Sequence, residues 1–244
     1  MPFILTLVLA FAACVALREP IRRWPIAFYA LAVAVVVTQL ASASLGLPKP
    51  IDLALLVLVK RCYVAMALFT VVMFIGALPS GSRLSRWLRP IRAEVSIVAC
   101  LLCVGHVIGY AASYVPRAIT GALASPTVAA GLLAALVLTA LLAVLGVTSA
   151  QRVKRAMGPT RWKRVQRLAY AFFVLACVHA LLMLLPSALS GGIAAGEGAL
   201  AYAAVLLAYL AARGARALAD RRADDAARAG GDKPASDDSE LRAA

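Results

Sequence analysis

Histidine is almost absent from this chain: His106 and His179 are the only two in 244 residues. Acidic residues are also scarce, 11 against 25 lysines and arginines, and charged residues of both signs make up only 15%. A soluble domain carries about a quarter charged and roughly half apolar residues. With 63% hydrophobic residues and a mean hydropathy of +0.89, this chain falls well outside that range. The five cysteines, Cys14, Cys62, Cys100, Cys103 and Cys177, lie in or beside apolar runs, where cysteine acts as a small hydrophobe. No disulfide framework is implied. A nucleotide-binding loop is missing too, because the glycine-rich GGIAAGEG at 191–198 precedes an apolar run and follows no strand.

What the chain does have is a succession of apolar runs of about 18 to 25 residues, each long enough as a helix to cross a hydrocarbon core of about 30 Å. Lipid offers no partner to open backbone groups, and the runs lack the alternation of a membrane barrel strand. The fold class is therefore all-α, a polytopic membrane helical bundle. The net charge of +14 does not point to nucleic acid, because the basic residues cluster between apolar runs and read as topology signals.

Seven transmembrane helices are expected, about 1–17, 26–47, 63–78, 91–115, 127–148, 167–189 and 199–212. No positive residue precedes the first run, and Arg18, Arg22 and Arg23 follow it, which favours a retained helix with its N-terminus outside. With the N-terminus outside and the C-terminus inside, the basic loops at 18–25, 79–92 and 149–167 all face the cytoplasm, and so does the tail from Arg213. Trp24, Trp87 and Trp162 sit in those same loops, as interfacial anchors do. The organisation read from this is two N-terminal helices (1–50), a helical bundle (51–212) and a polar, disordered cytoplasmic tail (213–244).

Depth relates the two histidines. His106 lies about 15 residues from the inner end of its span and His179 about 12 from the inner end of its own, similar heights at about 1.5 Å per residue. Two imidazoles at matched depth on facing helices are what a bis-histidine b-type haem requires. The competing reading is that each imidazole bonds to a neighbouring backbone carbonyl and only fixes helix packing. Gly105, Gly109 and Ala180 beside the histidines either leave room for a macrocycle or serve ordinary small-residue packing. The run CLLCVGH spaces Cys100, Cys103 and His106 by three, but it is not the C-x-x-C-H of covalent haem attachment and makes a poor metal cluster.

Two stretches, SRWLRPIRAEVSIVACLLCVGHVIGY and TSAQRVKRAMGPTRWKRVQRLAYAFFVLACVHALL, give the middle of the chain a family likeness. It resembles the ferric-reductase-like transmembrane family, most closely its bacterial branch of haem-binding membrane subunits of the periplasmic methionine sulfoxide reductase system. The resemblance implies one haem b with His106 and His179 as axial ligands of its iron. Where the family commonly has a further histidine after the tryptophan, this chain has Gln166, so a second haem is not implied. Lys60 and Arg61, near the outer face, either contact haem propionates or snorkel to the interface.

The function so implied is transmembrane electron transfer in a bacterial inner membrane, from quinol or a cytoplasmic flavoprotein to a periplasmic redox partner. The chain would be an electron-transfer subunit of an oxidoreductase system rather than a complete enzyme. Membrane lipid is the other expected partner, against the inner basic loops. The alternative is a non-redox membrane protein, a small transporter or an assembly or partner subunit, with structural histidines.

Overall fold

The computed structural model describes residues 2–79, 81–122, 125–149 and 151–231, and among the described residues every element is helical. The first half runs through α1 (Pro2–Ala16), α2 (Arg18–Arg23), α3 (Pro25–Leu40), α4 (Ser42–Leu45), α5 (Lys49–Leu55), α6 (Tyr63–Ala77) and α7 (Arg83–Leu88). It continues with α8 (Arg92–Ile119), α9 (Pro126–Ser149), α10 (Gln151–Met157), α11 (Pro159–Gln166), α12 (Leu168–Leu189) and α13 (Ile193–Gly231). Proline opens α3, α9 and α11, where its missing N–H costs nothing and its fixed φ suits the first turn. Gly158, at φ +73°, makes the break between α10 and α11 that a residue with a Cβ would resist.

Helix α6 is the centre of the bundle. Its sequence, YVAMALFTVVMFIGA, is apolar all round, and residues on every face of it are buried, as the pattern requires. It packs against α1, α8, α12 and α13. Around it the remaining spans form two groups, α3 with α8, and α12 with both α9 and α13. Aromatic contacts close the seams: Phe3 stacks on Tyr202 with ring centres 4.3 Å apart, and Phe172 meets Phe69 edge-on at 5.1 Å.

Five helical stretches are long and apolar enough to cross a membrane: Lys49–Ala77, Arg83–Ile119, Pro126–Ser149, Pro159–Leu189 and Ile193–Ala223. The first two expected spans appear as shorter apolar helices, Pro2–Ala16 and Pro25–Leu40. The stretch before α6 is a broken helix. None of the residues of α5 is buried; a π-helical turn at Leu56–Lys60 follows, and the chain then kinks at Cys62, whose φ of +62° lies in the left-handed region.

The segment expected to leave the bundle as a disordered tail is helical as far as Gly231. Alanine-rich sequence favours this. So does the pairing of Arg216 with Asp220 one turn on (2.8 Å), and Arg216 also donates to the carbonyl of Leu78 (2.8 Å), tying α13 to the end of α6. The rest of the expected tail, 232–244, lies outside the described residues.

Candidate functional site

The two histidines belong to different halves of the bundle. His106 sits on α8, which packs on α3 and α6; His179 sits on α12, which packs on α9 and α13. Across the seam between α8 and α12 the imidazoles meet, with ring centres 6.5 Å apart and planes at 84°. Both side chains are half-buried.

Each ring is held by a backbone carbonyl from another element. His106 Nδ1 lies 2.6 Å from the carbonyl oxygen of Lys60, and His179 Nδ1 lies 2.8 Å from that of Gly131. A carbonyl oxygen can only accept, so both Nδ1 atoms must carry the proton. In the neutral imidazole that leaves the lone pair on Nε2, the tautomer that ligates a metal.

The local sequence explains both acceptors. Lys60 closes the π-helical turn, so no helix continues beyond it to claim its carbonyl, and Cys62 turns the chain into α6. On α9, Gly131 lets α12 come close enough for His179 to reach the backbone. A Cβ there would stand 2.7 Å from Met183 Sδ.

Sequence reasoning singled out Lys60 and Arg61 for their charge. Lys60 serves the site through its backbone, with Cγ of its side chain facing Gly109, while Arg61 is exposed. Of the small residues, Gly105 is taken up by packing: a Cβ there would meet Val36 and Val59 at 3.0 Å. Two neighbours were missed. Tyr110 lies one turn beyond His106 with ring centres 4.9 Å apart, a relation its i+4 spacing signals. Gln39 of α3 is buried beside Gly109 and Lys60, and among the described residues its Oε1 has no hydrogen-bond partner. As the lone amide in an apolar run it carried a readable signal.

Cys100, Cys103 and His106 do not form a metal cluster. Among the described residues no group of three or more His, Cys, Asp or Glu could hold an ion. Cys103 instead faces Cys62, sulfur to sulfur at 4.0 Å. Gln166 is committed elsewhere: its Nε2 donates to Thr148 Oγ1 (3.2 Å), and Trp162 Nε1 donates to the Thr148 carbonyl (3.1 Å), which pins α11 to the end of α9.

The arrangement can be tested against a haem. Two imidazoles bound on opposite sides of one metal, each through a bond of about 2.0–2.1 Å, put their ring centres roughly 6–6.5 Å apart. The separation found is 6.5 Å. Tautomer and ring spacing are thus both compatible with one metal shared by His106 and His179.

Residues 61–177 match the model of a family described as ferric reductase like transmembrane component. The match covers a little under half of the chain, starts at Arg61, contains His106 and ends two residues short of His179. Over 158 residues, 64% of this chain, the sequence is 39% identical to an uncharacterized protein of Treponema pallidum (strain Nichols), of whose length the chain spans 43%. No solved structure matches the chain.

Proposed function

We propose that this protein is a membrane cytochrome of b type that passes single electrons across the bilayer through one haem held between His106 and His179. The observation that carries the reading is the pair of Nδ1 bonds to the carbonyls of Lys60 and Gly131, which leaves the Nε2 lone pair of each ring uncommitted at a spacing one iron would span. The ferric-reductase-like match over residues 61–177 points to the same redox role. An iron with two imidazole ligands has no open position for dioxygen, so the group would supply one-electron relay.

Within this reading the chain belongs to the bacterial branch of haem-binding subunits that serve periplasmic methionine sulfoxide repair. It sits in the inner membrane with seven spans, takes electrons from quinol or a separate flavoprotein, and gives them to a periplasmic acceptor. Lys60 and Arg61 would be the residues to contact the propionates. The chain's own residues hold and orient: the two carbonyls fix the ring tautomers, and the apolar residues of α6, α8 and α12 would exclude water from a bound iron.

The first test is an absorption spectrum of the purified protein from haem-replete cells. A reduced b-type signal is expected, and a colourless protein would sink the redox reading in favour of histidines that only pin helices. Gln166→Ala is expected to leave haem content unchanged while lowering stability by about 0.5–1.5 kcal/mol through loss of the Thr148 bond. A thermal melt read beside the spectrum checks both; loss of haem in this variant would mean that Gln166 belongs to a site. For sidedness, an alkaline phosphatase fusion after Arg117 should be active and one after Trp162 inactive, and the reverse pattern would invert the topology.

A further inference from the structure

Away from the histidines, the helix α7 has two unlike faces. Ser85 and Leu88 are buried, and Leu88 joins Ile21, Val71, Val72, Ile75, Ile91 and Val95 in a small apolar core that fixes α7 against α2 and α6. Arg83, Leu84, Arg86 and Trp87 are all exposed on the other side. With Arg18, from the start of α2, they line an open surface depression of about 550 Å³.

Arg18 is built into this wall. Its Nε donates to the carbonyl of Trp87 (2.8 Å), its guanidinium stacks over the Trp87 ring at 4.3 Å, and its Nη1 pairs with Glu19. Arg83 and Arg86 have no such commitment: among the described residues neither forms an ion pair with a carboxylate. Two guanidiniums without a carboxylate partner and one stacked guanidinium thus border one open depression with an indole at its side. Guanidinium forks match phosphate oxygens, and interfacial tryptophan belongs at headgroup level.

We infer that the Arg18–Arg83–Arg86–Trp87 depression binds the phosphate of an anionic phospholipid headgroup. The same phosphate chemistry exists in free solution, but two features favour the lipid. The depression lies where apolar α1 gives way to α2 and where α7 leads into α8, so it is at the end of the hydrocarbon region. Its exposed apolar members, Leu84 and Trp87, offer a surface that acyl carbons would cover and that inorganic phosphate would not use. The inference does not depend on haem, because the depression is formed by other residues than those that hold the imidazoles.

The test uses the full-length protein in nonionic detergent, exposed to phosphatidylglycerol, to phosphatidylcholine, and separately to inorganic phosphate, with retained ligand measured by native mass spectrometry. Phosphatidylglycerol is expected to bind in preference to phosphatidylcholine. Arg83→Gln with Arg86→Gln should weaken it roughly 25-fold, about fivefold per arginine near the surface. Arg155→Gln with Lys163→Gln, which removes equal charge from a different basic loop, should change little. Arg83→Lys with Arg86→Lys should retain part of the binding, and the haem spectrum should be unaltered in all three. Equal loss in the two charge-removing pairs, no preference for phosphatidylglycerol, or displacement of the lipid by millimolar inorganic phosphate would each overturn the assignment.

Discussion

His106→Ala and His179→Ala are each expected to abolish the reduced b-type absorbance, with no residual signal in either. On the proposed reading each ring would supply one of the only two protein ligands to the iron, and among the described residues no Cys, Asp or Glu joins them in a cluster that could take over. Alanine also strands a carbonyl, that of Lys60 or Gly131, at a cost of about 1–3 kcal/mol where it is shielded from water. Loss of colour through unfolding must therefore be separated from loss of a ligand. Asparagine at either position keeps an N–H donor for the carbonyl but offers no imidazole nitrogen, so His106→Asn should melt closer to the parent protein and still lack the absorbance. Added imidazole should restore part of the signal in the alanine variants, since the truncated side chain leaves space where the ring stood. Full haem content in any one of these variants would show that the two histidines are not the ligands.

The proximity of the two rings was legible in the sequence because helix rise is fixed: similar distances from the inner ends of two spans translate into similar depth whatever the packing. The helical class and the basic loops were legible for an equally simple reason, since composition and charge position need no tertiary information. That a backbone carbonyl would hold each ring was one of the two readings of the sequence; which carbonyls do so was not legible. The acceptors are main-chain carbonyls, which every residue has; what singles out those of Lys60 and Gly131 is a π-helical turn ending at a left-handed Cys62 and a close approach of α9 to α12. Side-chain charge drew attention to Lys60 for a different reason. At the C-terminal end, low apolar content pointed to disorder, yet local terms, alanine propensity and the Arg216–Asp220 pair, keep α13 helical to Gly231.

Gly131→Leu is expected to produce the second large effect, and it tests the approach of α9 to α12 directly. The first atom of a new side chain would fall 2.7 Å from Met183 Sδ and 3.7 Å from Leu182 Cβ. Met183 can swing aside for one methyl group, but a full isobutyl group in this seam has to push the helices apart. Overpacking of this kind costs about 1–3 kcal/mol. The consequence for the site is geometric: as α12 retreats, His179 Nδ1 loses the Gly131 carbonyl, its ring is no longer held in the ligating tautomer, and haem occupancy should fall several-fold. Gly146 lies two turns of α9 beyond Leu138 with nothing within 4 Å of its would-be Cβ, so Gly146→Leu on the same helix controls for the change in propensity. It should melt within a degree or two of the parent protein and keep its haem. If Gly131→Leu behaves like Gly146→Leu in both the melt and the spectrum, α12 does not need this close approach and the carbonyl of Gly131 does not set the tautomer of His179. If stability falls while haem content holds, the glycine serves packing alone and the ligand ring is oriented by something else.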